Sequence, residues 1–259
     1  MRAAALSSGS EGNCFYIEDQ DIAVLVDVGL SAKRIYERLK TLDLDAGKIK
    51  AIFVTHEHID HIRGVDVLAR QLNIPIYATK GTLENGKLCS NNKLIRKIKR
   101  NDEINIGNLR IESFEKSHKA AEPVSFSVSS IKKGKTVAVI TDLGYACKNV
   151  NEKVAKADFL FIESNHDIKM LENGPYPYFL QKWVRGDDGH LSNTQAALSV
   201  LEFASPQLKN IVLSHISSKN NTPQLAIKTF NNILKERSDL NAHISVSLKD
   251  SPTKLFSVI

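Results

Sequence analysis

The segment Thr55-His56-Glu57-His58-Ile59-Asp60-His61 follows directly on Ala51-Ile52-Phe53-Val54, an apolar run that reads as a buried strand. Most of the segment can ligate a metal or carry a proton. Ionisable groups packed at the end of a buried strand are costly unless something neutralises them. One or two divalent cations would do so, and imidazole with carboxylate suits zinc, manganese or iron. His56 and His58 alternate along the chain and can point one way; Asp60 and His61 are adjacent and aim elsewhere, toward a second ion. The plainer alternative is a polar loop opening a helix, with Asp60 as its cap.

What separates the two is whether polar residues recur at other strand ends, and they do. Asp27 follows Ala23-Val24-Leu25-Val26, His118 follows the strand-like 109–114, Asp142 follows 136–140, and His215 follows Ile211-Val212-Leu213. Loops at strand ends are where sites are normally built. Asp27 also fits a turn residue before Gly29. His190, in Gly189-His190-Leu191-Ser192-Asn193, opens a helix, where an imidazole can grip an anion or protonate a leaving oxygen; a helix-terminal hydrogen bond is the alternative. Glu163 ends another strand and is a candidate to orient that imidazole. Ser7, Ser8, Ser10 and Asn13 form a small polar loop, with Gly9 and Gly12 permitting close backbone approach. A phosphate nest and an ordinary hairpin turn both fit it.

Taken in order, Asp27, His56/His58/Asp60/His61, His118, Asp142 and His215 resemble the signature of the metallo-β-lactamase-fold hydrolases over nearly the whole chain. The stretches 6–13, 117–124, Glu163-Ser164-Asn165-His166-Asp167 and 189–193 narrow the resemblance to the YycJ (WalJ) branch, which is associated with DNA exonuclease activity. The resemblance implies a four-layer αββα sandwich of two mixed β-sheets and two divalent ions, Zn²⁺ or Mn²⁺. It puts His56, His58 and His118 on one ion, Asp60, His61 and His215 on the other, and Asp142 between them. It gives Asp27 the task of orienting a ligand. Asp60, His190 and Glu163 form the expected catalytic set, the last two resembling the Glu/His dyad of the tRNA-processing nucleases of the same superfamily. A hydroxide activated by the two ions is the expected nucleophile. Two departures touch substrate handling: Lys119 stands where the branch usually has Asp, and Gln181 and Trp183 where it usually has Lys and Arg.

Periodicity alone gives an α/β chain with many strands. Strands are expected near 2–6, 14–18, 22–27, 51–55, 75–78, 109–114, 124–130, 136–141, 158–162, 210–214 and 254–258, and helices near 31–41, 63–72, 80–97, 148–155, 166–172, 192–203 and 222–236. No linker or repeat interrupts residues 1–259, so one domain is expected. No apolar run is long enough for a membrane span, and the apolar stretch in Met1–Ser7 is too short for a signal peptide. Cys14, Cys89 and Cys147 are scattered, as free thiols in a reducing cytosol are. A cytoplasmic location follows as the expectation, with a homodimer left open.

The net charge of +6 suits an anionic partner. Basic residues concentrate in 87–100, on the expected helix 80–97. Lys93, Arg96, Lys97 and Arg100 are the candidate nucleic-acid contacts there; a solvated face is the alternative. The expected function is a metal-dependent phosphodiesterase on nucleic acid, a DNA exonuclease with 5′-to-3′ polarity. A small-molecule hydrolase of thioesters or cyclic phosphodiesters is the competing enzyme. A nucleic-acid-binding protein with a vestigial site is the non-enzyme alternative, and no ligand position is lost to support it.

Overall fold

The computed structural model describes residues 1–259. The elements run β1 (Arg2–Ser7), β2 (Cys14–Asp19), β3 (Ile22–Val26), α1 (Ala32–Thr41), β4 (Ile49–Phe53), α2 (Ile59–Ile62), α3 (Val65–Leu72), β5 (Ile76–Thr79), α4 (Lys80–Asn85), β6 (Ile95–Ile98), β7 (Glu103–Ile106) and β8 (Leu109–Glu115). They continue with β9 (Val124–Ser130), β10 (Thr136–Ile140), α5 (Lys148–Lys156), β11 (Phe159–Glu163), α6 (Ile168–Glu172), α7 (Tyr178–Val184), α8 (Asn193–Phe203), β12 (Asn210–Ser214), α9 (Pro223–Leu234), β13 (His243–Val246) and β14 (Phe256–Ser257). No helix is long and apolar enough to cross a membrane.

Two seven-stranded sheets form, in the orders β14-β1-β2-β3-β4-β5-β6 and β13-β12-β11-β10-β9-β8-β7. Each is antiparallel over one part and parallel over the other. Strands buried on both faces explain the nearly unbroken apolar runs. In β3, Val24 and Val26 face the other sheet, where Phe15, Phe53, Phe126 and Phe161 pack; Ala23 and Leu25 face a layer built on Ile35, Leu39 and Leu68 of α1 and α3. Across the second sheet, Leu160 and Ile162 turn outward onto Val150, Ala196 and Phe230 of α5, α8 and α9. Helix, sheet, sheet, helix is therefore the layer order, the four-layer αββα sandwich that the resemblance implies.

The topology also explains why the polar residues recur at strand ends. β3 and β4 are parallel. So are β10, β11 and β12, and β8 is antiparallel to β9, which is antiparallel to β10. The C-terminal ends of β8, β10, β11 and β12 therefore lie along one edge of their sheet, and those of β3 and β4 along one edge of theirs.

The helix expected over 80–97 does not form. α4 ends at Asn85, and after a short turn capped by Asn91 the chain becomes β6, parallel to β5, with Ile76 opposite Ile95 and Thr79 opposite Ile98. Ile98 is buried while Arg96 and Lys97 are exposed. The basic residues thus lie along an exposed sheet edge instead of a helical face. The helix expected over 63–72 forms as α3, preceded by the short α2 and separated from it at Gly64, whose Cβ would sit 2.0 Å from the Leu30 carbonyl oxygen. β7, β13, α2 and α7 are additional to the expected elements.

Candidate metal centre

Three of the strand-end residues turn the chain through the left-handed region: Asp27 at φ 60°, Asp142 at φ 59° and His215 at φ 53°. For a residue with a side chain this conformation costs on the order of 1 kcal/mol and persists where surroundings over-determine it. Here it directs each side chain from a strand end toward one point. His118 comes from the loop after β8, and His56 and His58 from the turn between β4 and α2.

The imidazoles of His56, His58 and His118 converge. His56 Nε2 lies 3.0 Å from His58 Nδ1, and His118 Nε2 lies 3.3 Å from the same atom. Nitrogens around one tetrahedral zinc at ~2.0–2.1 Å lie about 3.3 Å apart, so this spacing suits a shared ion. Asp60, His61, Asp142 and His215 make a second cluster, with one donor atom from each lying within 4.8 Å of the others. His61 Nε2 is 3.3 Å from Asp142 Oδ2, and His215 Nδ1 is 3.3 Å from Asp142 Oδ1. Asp142 Oδ2 and His215 Nδ1 are buried with no hydrogen-bond partner. Orphaned acceptors and donors in a buried site call for an unsupplied partner, and a divalent cation matches their chemistry. Asp142 belongs spatially to this second cluster and not to the three-histidine one at the same spacing.

The surroundings hold the rings in place. Asp27 Oδ1 accepts from the Thr55 amide at 2.8 Å, and its Oδ2 accepts from the Thr55 hydroxyl at 2.9 Å and from His61 Nδ1 at 2.7 Å. That bond leaves His61 Nε2 for the site, as carboxylate partners of ligating histidines do. His118 Nδ1 faces the Gly189 carbonyl at 3.4 Å, which links the ring to the loop carrying His190. His190 Nδ1 donates to Glu163 Oε1 at 2.8 Å; Glu163 Oε2 accepts from the amides of Leu143 and Leu191, each at 3.0 Å. Glu163 and His190 also lie within 4.8 Å of Asp142 and His215. The Glu163–His190 pair therefore abuts the second cluster. Ser192 caps α8 as a complete capping box with Gln195, which fixes the loop that carries His190.

Burial and charge act oppositely on the two clusters. Burial drives His56 well below the usual imidazole range and His118 down to about 2. Burial also disfavours charge on His61 and His215, but Asp142 and the other carboxylates outweigh it, raising His61 well above its ordinary value and His215 to about 9. Asp142 is held well below the usual carboxylate range, against its burial, by His215 and His61.

Several contributors escape a reading of the sequence. Thr55 serves Asp27, His56 Nδ1 (2.9 Å) and His61 at once. Asn13 places Nδ2 3.3 Å from Asp60 Oδ2 and 3.1 Å from His61 Nε2, while Ser8 Oγ accepts from the His215 amide at 2.8 Å. The loop 7–13 thus buttresses the site, which its serines and glycines alone leave undecided. Gly29 makes room for it: a Cβ there would sit 1.7 Å from the Asp60 carbonyl oxygen. Lys116 is buried beside the carboxylates, donates to the Thr141 carbonyl at 2.7 Å, and has its pKa lowered by burial. The basic residues lie outside these clusters: Arg96 donates to the carbonyls of Lys93 and Ile95, Arg100 pairs with Glu115, and Lys93 and Lys97 make no ion pair. Lys119 is exposed, and Gln181 donates to the Tyr176 carbonyl at 2.8 Å.

Comparison with known proteins agrees with this arrangement. The family model described as a β-lactamase superfamily domain matches residues 23–216, which bracket every residue of both clusters. The exodeoxyribonuclease YycJ of Bacillus anthracis is 35% identical over 242 residues, covering 92% of this chain and 90% of its own. The exodeoxyribonuclease WalJ of Streptococcus pneumoniae is 36% identical over 258 residues, covering 97% and 94%. Among solved structures, the metallo-β-lactamase-fold protein YhfI from Bacillus subtilis superposes with a TM-score of 0.70 over 97% of this chain and 98% of its own; at 15% identity it speaks for the fold alone. The chain therefore belongs to the metallo-β-lactamase-fold hydrolases, in the branch that holds YycJ and WalJ.

Proposed function

We propose that the chain is a metal-dependent phosphodiesterase acting on nucleic acid, a DNA exonuclease of 5′-to-3′ polarity, at work in the cytoplasm. The observation that carries this is the Glu163–His190 pair set against the Asp142–His215 side of the second cluster. In this reading His56, His58 and His118 hold one ion, Asp60, His61 and His215 hold the other, and Asp142 stands between them. Bound Zn²⁺ or Mn²⁺ supplies a water of lowered pKa and neutralises charge on a phosphate. Asp60, whose side chain is 17% exposed against 3% for Asp142, is the carboxylate open to an incoming water and can accept its proton. Glu163 orients the His190 ring through Nδ1, which turns Nε2 toward the substrate for proton delivery to the leaving oxygen.

The net charge of +6 favours a polyanion over a small neutral substrate, and the two relatives aligned over nine-tenths or more of their length are named exodeoxyribonucleases. The test is purified protein with Mn²⁺ or Zn²⁺ and 5′- or 3′-labelled single- and double-stranded DNA and RNA. Release of mononucleotides from the 5′ end of DNA is expected. Cleavage of small thioesters or cyclic phosphodiesters with no action on any polynucleotide would replace this reading.

A further inference from the structure

A pocket of about 190 Å³ opens beside the proposed reaction centre. Tyr176, Leu180 and Trp183 line it together with Asn165, His190 and His215. The rings form a row outward from the second cluster. His190 stacks on His215 at 5.2 Å and 23°, and Trp183 stands edge-on to His190 at 5.7 Å and 83°. α7 sets this up, because Leu180, Trp183 and Val184 lie on its inward face while Tyr178 and Phe179 are exposed.

We infer that this pocket receives a single unpaired nucleobase next to the bond to be cleaved. The inference rests on the phosphodiesterase reading above. Three features select the occupant. The volume is below the ~300 Å³ at which drug-sized sites begin, so one ring system fits and a whole nucleotide does not. No lysine, arginine, aspartate or glutamate lines the pocket, and its two histidines are already set against carboxylates, His190 Nδ1 2.8 Å from Glu163 and His215 Nδ1 3.3 Å from Asp142, so a phosphate gains little there and an uncharged group is preferred. The walls combine aromatic rings, on which any base can stack, with the Asn165 side chain, whose amide donates to the His215 carbonyl at 3.0 Å and whose Oδ1 accepts no hydrogen bond from the chain. That oxygen can take a base N–H. A terminal base must therefore leave its stack to enter.

Trp183 is the only tryptophan, so its fluorescence reports the pocket directly. Unmodified protein is titrated with dAMP, with dTMP and with 2-deoxyribose 5-phosphate. Both nucleotides are expected to quench and the base-free sugar phosphate is not. Equal quenching by the sugar phosphate, or none by any of the three, overturns the inference. In a second arm, DNA with a normal or an abasic terminal nucleotide is cleaved by the unmodified protein and by Trp183→Ala. The variant is expected to lose roughly 5- to 150-fold in kcat/KM on the normal end, the range of base–aromatic stacking, and little on the abasic end. Equal losses on both ends assign Trp183 a structural role and overturn the inference. DNA cleavage without base-dependent quenching would sink the pocket alone. Base-dependent quenching without cleavage of any nucleic acid would sink the phosphodiesterase reading and leave the pocket standing.

Discussion

Asp19 and Asp142 are both buried carboxylates at strand ends, at opposite ends of the sandwich, and their surroundings differ completely. Asp19 Oδ1 meets Lys133 at 2.7 Å and the Met1 amine at 3.4 Å; its Oδ2 accepts from Ser130 at 2.7 Å and Asn108 at 2.9 Å. Asp142 has an oxygen that accepts nothing, and its nearest groups are two imidazoles at 3.3 Å. The Asp19 end has every valence used and ties the chain start to the second sheet. The Asp142 end keeps its donors and acceptors unpaired around a common point. A buried carboxylate by itself signals nothing; one left short of partners among histidines marks chemistry.

The largest expected effect comes from the unsatisfied end. His58→Ala and Asp142→Ala should each lose bound metal by elemental analysis and reduce kcat/KM by at least about 10³-fold, since metal stabilisation supplies several kcal/mol. Full activity of either variant at saturating metal would erase the distinction between the two carboxylates. Next in size, His190→Ala should cost about 10²–10⁴-fold on a substrate with an alkoxide leaving group and little on a nitrophenyl ester, which needs no protonation. Glu163→Gln should give a milder form of the same pattern. Unchanged metal content in both variants separates proton transfer from ligation.

How far the sequence discloses this contrast depends on the range of the interactions. The ionisable residues of the run 56–61 and the residues Asp27, His118, Asp142 and His215 are legible because each group follows its own apolar strand, a local pattern. Thr55, Asn13 and Lys116 are not, because their roles exist only where the ends of different strands meet. The same logic explains the misread segment 80–97. Its cations and apolar residues fit a helix locally, but Ile95–Ile98 pairs with β5 and buries Ile98, a gain available only once that sheet exists. α7 is short and follows Pro175 and Pro177, so its inward Leu180, Trp183 and Val184 carry too little periodicity to be seen. The layer order came from resemblance, since periodicity cannot tell one face of a doubly buried strand from the other.

Proton competition sharpens the comparison within the site. His61 and His215 are raised, so the metal-free protein holds protons on both at neutral pH; His56 and His118 are lowered and hold none. Metal entering the second cluster must displace those protons. Its affinity should rise with pH up to about 9, where His215 titrates, and fall by up to about 100-fold per unit on acidification, two protons each contributing tenfold. The three-histidine cluster should show a weaker dependence. Calorimetry in buffers of different ionisation enthalpy counts the protons. An equal pH dependence for both ions would contradict the assignment. Asp19→Asn makes the opposite case. It should lower stability by about 2 kcal/mol, in the range for losing a buried charged hydrogen-bond partner, with a melting temperature several degrees lower. Activity per folded molecule should stay within about twofold.

The smallest effect belongs to the edge strand β6, whose charges are spent on neither task. β6 runs parallel to β5, so Lys99 and Arg100 emerge at the end of the sheet where the site-forming loops lie. Lys93 and Lys97 are exposed cations without an ion-pair partner, whereas Arg100 is partly neutralised by Glu115. If a nucleic-acid backbone passes along this edge, each phosphate contact contributes about 0.9 to the slope of log affinity against log salt. Lys93→Gln with Lys97→Gln should therefore flatten that slope by up to about two units. Arg100→Gln should change it less, and Arg96→Gln by an intermediate amount, since the Arg96 guanidinium already donates to two carbonyls. Hydrolysis of a small activated phosphodiester should be unaffected by all of these changes, because none of these residues touches either cluster. An unchanged slope in the Lys93/Lys97 variant would show the edge to be a solvated face, leaving the basic character of the chain to act through its overall field alone.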